Sequence, residues 1–170
     1  LSADGIYLLE ADGLVVGTTG VIGVTQVNFD STTSPVSDAS LSGLETTAAG
    51  PIKLVSTTGP ITISDLVTAG GLGNVLLAAL AGNLTLAAVV TSGSGHVTLA
   101  ASAEVDQDAN VTTAGGTVLI TAGSNIDMQT GTQTSSGDGN IRLEATAGNI
   151  LLALVDAGNG DVSLLAGTNI

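Results

Sequence analysis

Any chemistry in this chain has to come from carboxylates. Fifteen Asp and Glu residues stand against two strong bases, Lys53 and Arg142, and one histidine, His96. Four acids have a spacing that gathers them: Glu104, Asp106, Asp108 and Asp127. If Val105 and Ile126 open equivalent strands in neighbouring turns of a repeat, Asp106 and Asp127 stack on one outer face, about 5 Å apart. Asp108 lies two positions along that face, and Glu104 precedes the strand. Four acids with no basic partner repel one another. Ca²⁺, a hard cation that takes clustered carboxylate oxygens, would relieve the repulsion. The competing reading is a solvated acidic face screened by salt. It is preferred, because a tight Ca²⁺ site draws several oxygens from a shaped loop.

Other chemistry finds less support. Asp106 and Asp108 could act as the paired acids of a glycosidase, but Tyr7 and Phe29 are the only aromatic residues available as sugar platforms. A polyuronate lyase needs cationic groups against developing negative charge, and Lys53 and Arg142 fall in different repeats. His96 has no base or metal partner near it in sequence and reads as a turn residue. No spacing selects a Ser or an Asp to complete a triad with it. The chain has no cysteine, which removes thiol catalysis and thiolate metal sites. The expectation is a protein that is not an enzyme and has no cofactor, with Ca²⁺ as the one candidate ligand.

The elements that position these residues are written in a repeat. A β-branched residue, a variable residue and a large apolar residue recur as Ile6-Tyr7-Leu8, Val27-Asn28-Phe29, Ile52-Lys53-Leu54 and Val75-Leu76-Leu77. They continue as Val97-Thr98-Leu99, Val118-Leu119-Ile120, Ile141-Arg142-Leu143 and Val162-Ser163-Leu164. A fixed period of about 22 residues marks a solenoid. Apolar, variable, apolar is the alternation of a strand with one buried face. A second strand is led by Leu14, Val36, Ile61, Leu84, Val105, Ile126, Ile150 and Ile170. A third starts near Val21, Leu44, Val67, Val90, Val111 and Val155, and falls in the polar stretch 131–136 in one coil. Asn or Asp preceded by Gly opens many strands, as at Asn74, Asn83, Asn140, Asn149 and Asp161. These residues tolerate the left-handed backbone of tight corners, and stacked Asn can bond coil to coil.

The expected fold is therefore an all-β, right-handed parallel β-helix, with three short strands per coil and roughly 7–8 coils by the ~22-residue period. The whole of 1–170 is one solenoid segment, on the order of 35 Å long. No capping helix pattern appears at either end. The segment reads as a slice of a longer repeat chain or as a subunit that stacks end to end.

Segments such as Gly82-Asn83-Leu84-Thr85-Leu86-Ala87-Ala88 and Gly95-His96-Val97-Thr98-Leu99-Ala100-Ala101 resemble the repeats of filamentous-haemagglutinin-like adhesins and giant bacterial exoproteins. The resemblance implies a parallel β-helix, export, and a structural or adhesive role at the cell surface. Composition fits a narrow rod: 44% hydrophobic, mostly small and branched aliphatics, with 1% aromatic and 10% charged residues. A net charge of −13 with two bases excludes nucleic-acid binding. The longest apolar stretch, 74–90, is broken at Gly82-Asn83, so no membrane insertion is expected. The expected function is a segment of an extracellular fibre, filament or cell-surface sheath. It would associate with itself end to end or laterally, with Leu76 and Leu119 as outward apolar contacts. A surface glycan or a ligand on a host or neighbouring cell is a further expected partner. The alternatives are a polysaccharide-binding or polysaccharide-processing β-helix and a Ca²⁺-stiffened surface-layer or adhesin repeat.

Overall fold

The structure, a computed structural model, describes residues 3–170. The chain winds as a β-solenoid of about 23 residues per coil, with three strands per turn. The first coil comprises β1 (Ile6–Glu10) and β2 (Leu14–Val16), then a hairpin of β3 (Ile22–Val27) and β4 (Thr33–Asp38), then β5 (Leu44–Thr46). The second comprises β6 (Ile52–Ser56), β7 (Ile61–Ile63) and β8 (Val67–Ala69). The same trio recurs as β9 to β11 within 75–92, β12 to β14 within 97–113, β15 to β17 within 118–135 and β18 to β20 within 141–156. β21 (Val162–Ala166) opens a further coil. Long strands stack into a seven-stranded parallel sheet, and the two short strands of each coil into two six-stranded parallel sheets. Among the described residues no helix is long and apolar enough to cross a membrane.

The expected columns are physical columns. Ile6, Ile52, Val75, Val97, Val118, Ile141 and Val162 pair in unbroken register. So do Leu14, Ile61, Leu84, Val105, Ile126 and Ile150. Six steps of about 4.8 Å between seven strands give a rod of ~29 Å, shorter than the sequence suggested. The inward positions close the core: Leu54, Leu77, Leu99, Ile120 and Leu143 are each 0% exposed. A buried side chain of this kind contributes roughly 1.5–3 kcal/mol, and its partners are the same column one coil above and below.

One repeat is not a coil. Val27-Asn28-Phe29 fits the motif, yet Ile6 pairs directly with Ile52. Residues 17–43 leave the rod at the corner between β2 and β5, a corner that takes only residues 64–66 in the next coil. They form the antiparallel β3–β4 hairpin. Val36 and Val21 therefore head no solenoid strand, and the number of long strands is seven, not eight. The excursion plus its coil spans two periods, so the motif stays in phase through it. Its loop is a three-residue turn: Ser31 N–H donates to Asn28 C=O and Asn28 N–H to Thr32 C=O, with Ser31 left-handed at φ 67°. Phe29 stands fully exposed at the tip. The base is held by the carboxylate of Asp65, which accepts from Ser42 Oγ, from Thr18 Oγ1 at 2.8 Å and from Leu66 N–H at 2.9 Å. Those bonds, Ser42's first, hold the Asp65 pKa below the ordinary 3.8.

One column of corner glycines serves a different purpose from the expected one, while Gly71, Gly82, Gly137 and Gly158 have positive φ at corners as expected. Gly73, Gly95, Gly116, Gly139 and Gly160 are absent from the positions with left-handed φ. Instead each lies over the glycine of the coil before it. A Cβ on Gly116 would sit 2.0 Å from Gly95 O, and one on Gly139 would sit 2.0 Å from Gly116 O. Coil spacing, not backbone handedness, demands glycine in this column.

Candidate functional site

The acidic residues come from β13 (Val105–Gln107), β16 (Ile126–Met128) and their flanks. Val105 and Ile126 point into the core, so the alternation of a strand puts Asp106 and Asp127 outside. The two are register partners in neighbouring coils. Asp106, Asp108 and Asp127 line one surface hollow with Thr85 and Gln129. Thr85 Oγ1 donates to Asp106 Oδ2 at 3.4 Å. Burial, followed by the charges of Glu104 and Asp108, pushes the Asp106 pKa above 3.8. The Asp127 charge adds to this, and the Thr85 bond opposes it.

Glu104 is only partly in this group. It is near enough to act on Asp106, but its Oε1 accepts from Asn125 Nδ2 at 3.2 Å. That contact ties it to the corner column. Among the described residues no three His, Cys, Asp or Glu side chains form a group able to hold a metal ion. Three carboxylates share the hollow without converging on a point, so the arrangement is a repelling acidic stripe crossed by a threonine. Lys53 and Arg142 sit four register steps apart on the outer face of the long sheet. Arg142 is paired with Glu144 at 2.9 Å.

His96 belongs to a hydrogen-bond ladder. Asn74 Oδ1 accepts from the His96 N–H at 2.8 Å, and His96 Nδ1 accepts from the Thr117 N–H at 3.0 Å. Asn140 Oδ1 accepts from the Asp161 N–H at 2.9 Å one coil further along. A parallel ladder runs through Asn83, Asn125 and Asn149: Asn83 Oδ1 accepts from the Glu104 N–H, and Asn125 Oδ1 from the Asn149 N–H. Side chains of the first ladder cap the next coil's first strand and those of the second cap its second strand, so the imidazole occupies an asparagine's place and does an asparagine's work.

A pair missing from the expectations lies inside the rod. Gln107 and Thr134 are both 0% exposed. Thr134 Oγ1 donates to Gln107 Oε1 at 2.9 Å, and Gln107 Nε2 donates to Gln133 C=O at 3.2 Å. Among the described residues no buried side-chain polar atom lacks a partner. The signal was available as two polar residues at inward positions of adjacent coils, but their contact depends on the register. Leu76 and Leu119 are half-buried on the outer face, with Thr98 between them. No family model matches the chain, and comparison with curated proteins and with solved structures finds no match.

Proposed function

We propose that this chain is a rigid structural rod of an extracellular or cell-surface fibre, filament or sheath, whose work is to project and present rather than to catalyse. The observation that carries this reading is the continuous apolar core. It runs from Val16 to Ala157, with each coil hydrogen-bonded to the next. A rod built this way resists bending and proteolysis, because unfolding one coil exposes the core of two neighbours. The acidic surface keeps such rods soluble and apart, and the likeness of the repeats to those of surface adhesins favours a place outside the cell. The end layers are apolar: Leu8 is 43% and Val162 45% exposed, where their column neighbours Leu54 and Ile141 are 0% and 1% exposed. Further coils, in this chain or in another copy, would bury them. Phe29 on its hairpin is an adhesive contact for a ligand on a neighbouring cell or a surface glycan. Limited proteolysis should cleave only within residues 17–43 and leave the coils intact. Cleavage throughout the coils would refute the reading.

A further inference from the structure

The coils do not account for the hairpin. Every residue of β3 is exposed, and Ile22, Val24 and Val27 are left open to solvent. An isolated two-stranded ribbon is marginal in water, and three or more strands are needed for independent stability. The Asp65 clamp secures only the root.

The two edges of the ribbon differ. The Asn28–Thr32 backbone bond sets the phase of the ladder, so the pairs 26–34, 24–36 and 22–38 exchange its hydrogen bonds. Thr33, Pro35 and Ser37 therefore face outward from β4, and Gly23, Thr25 and Val27 face outward from β3. Pro35 has no N–H to offer, which blunts the β4 edge. Asp30 and Asp38 flank that strand. The β3 edge has no such guard. Residues 17–29 contain no charged side chain, in a chain of net charge −13. An open, uncharged edge is a template for strand addition.

Gly23 is an independent pointer. It lies mid-strand among β-branched residues, and its φ is not in the left-handed region. A Cβ there would meet nothing within 4 Å. Glycine weakens a strand interior and marks places where another backbone comes close. Among the described residues nothing fills the space its side chain would take, and its one backbone neighbour is Ser37 on the opposite side of the ribbon.

The β3 sequence is complementary to itself. Laid antiparallel on a second copy about a two-fold axis at Thr25, it sets Thr25 against Thr25 and Val27 against Gly23 in both directions. The valine fills the space the glycine leaves. The Ile22, Val24 and Val36 faces of the two ribbons then join in a four-stranded sheet, which meets the strand number that one ribbon lacks.

We propose that the β3 edge is a dimerisation site, taking the β3 strand of a second copy of this chain to form a continuous β4–β3–β3–β4 sheet. The copies meet through the one long uncharged run that projects from the rod, away from their acidic flanks. Edge pairing of this length buries less than the roughly 1,000 Å² of a stable interface, so the dimer is concentration-dependent.

The chain has no cysteine, so Thr25→Cys places one thiol per chain at the two-fold. The Cα separation of a hydrogen-bonded antiparallel pair, about 5.5 Å, lies within disulfide reach. Mild oxidation should convert Thr25→Cys to a covalent dimer and leave Ser37→Cys, on the β4 edge, monomeric. In sedimentation, the unmodified protein should rise in mass from 16.4 kDa with concentration. Thr25→Pro removes only an outward N–H, and Thr25→Lys opposes like charges; both should lose that rise. A 16.4 kDa monomer at every concentration, equal cross-linking of the two cysteine variants, or a dimer that survives both Thr25 substitutions would overturn the proposal.

Discussion

Replacing Gly116 by alanine tests the coil spacing with a single methyl group. The new Cβ would lie 2.0 Å from the carbonyl oxygen of Gly95, where ordinary contact begins at 3.4 Å. The obstacle is backbone, so no side chain can swing aside. The parallel ladders on both sides of the corner hold the coils about 4.8 Å apart. Relief requires the two coils to part locally and stretch ladder bonds of Val97 and Val118. Overpacking of this kind costs about 1–3 kcal/mol and occasionally more, and a backbone obstacle puts Gly116→Ala near the upper figure. For a domain of this size ~3 kcal/mol lowers the melting temperature by roughly 6–12 °C. Gly20→Ala is the internal control: nothing lies within 4 Å of its Cβ. There the reduced freedom of the unfolded chain should stabilise by about 0.4–1 kcal/mol. Thermal unfolding followed by circular dichroism reads both variants. A Gly116→Ala protein that melts with or above the parent would refute the claim that stacking sets this column.

Thr134→Val keeps the volume of the buried side chain but leaves Gln107 Oε1 without its donor. The expected loss is about 1–3 kcal/mol in a denaturant titration. Asp106→Asn should stabilise the protein at neutral pH. The folded-state pKa of Asp106 is raised above 3.8, so the folded chain binds more protons than the unfolded one between 3.8 and the raised value. The parent therefore loses stability as pH rises through that window, and the advantage of Asn should shrink as pH falls back through it. His96→Asn should melt with the parent, since an amide oxygen can replace Nδ1 as the Thr117 acceptor. His96→Ala should cost about 0.5–1.5 kcal/mol.

The sequence carried the coils because a rod repeats the same packing problem. Once Val97 and Leu99 point inward, Val118 and Ile120 must do so too, and the alternation can be read without coordinates. The hairpin escaped because periodicity has no memory of which coil a residue joins. Val27-Asn28-Phe29 is β-prone and in phase, and the detour is one period long. The clues were chemical: an aromatic in a column of aliphatics, Asp30-Ser31 straight after it, and Pro35 before the supposed second strand. The acidic stripe was legible as a register consequence of Val105 and Ile126. The turning of Glu104 toward Asn125 was not, because it depends on a neighbour one coil away. The glycine column was visible, but its cause lies in the distance between coils, which no local preference encodes.

The most direct test of the stacking is a pair of cysteine variants in this cysteine-free chain. Tyr7 and Lys53 are register partners in adjacent strands. At about 4.8 Å apart, Tyr7→Cys with Lys53→Cys should close an intramolecular disulfide under mild oxidation. If residues 17–43 formed part of a coil between them, the two positions would lie ~10 Å apart, beyond reach. Failure of that pair, with closure of Tyr7→Cys with Asn28→Cys instead, would contradict the direct contact of the first two coils and the hairpin with it.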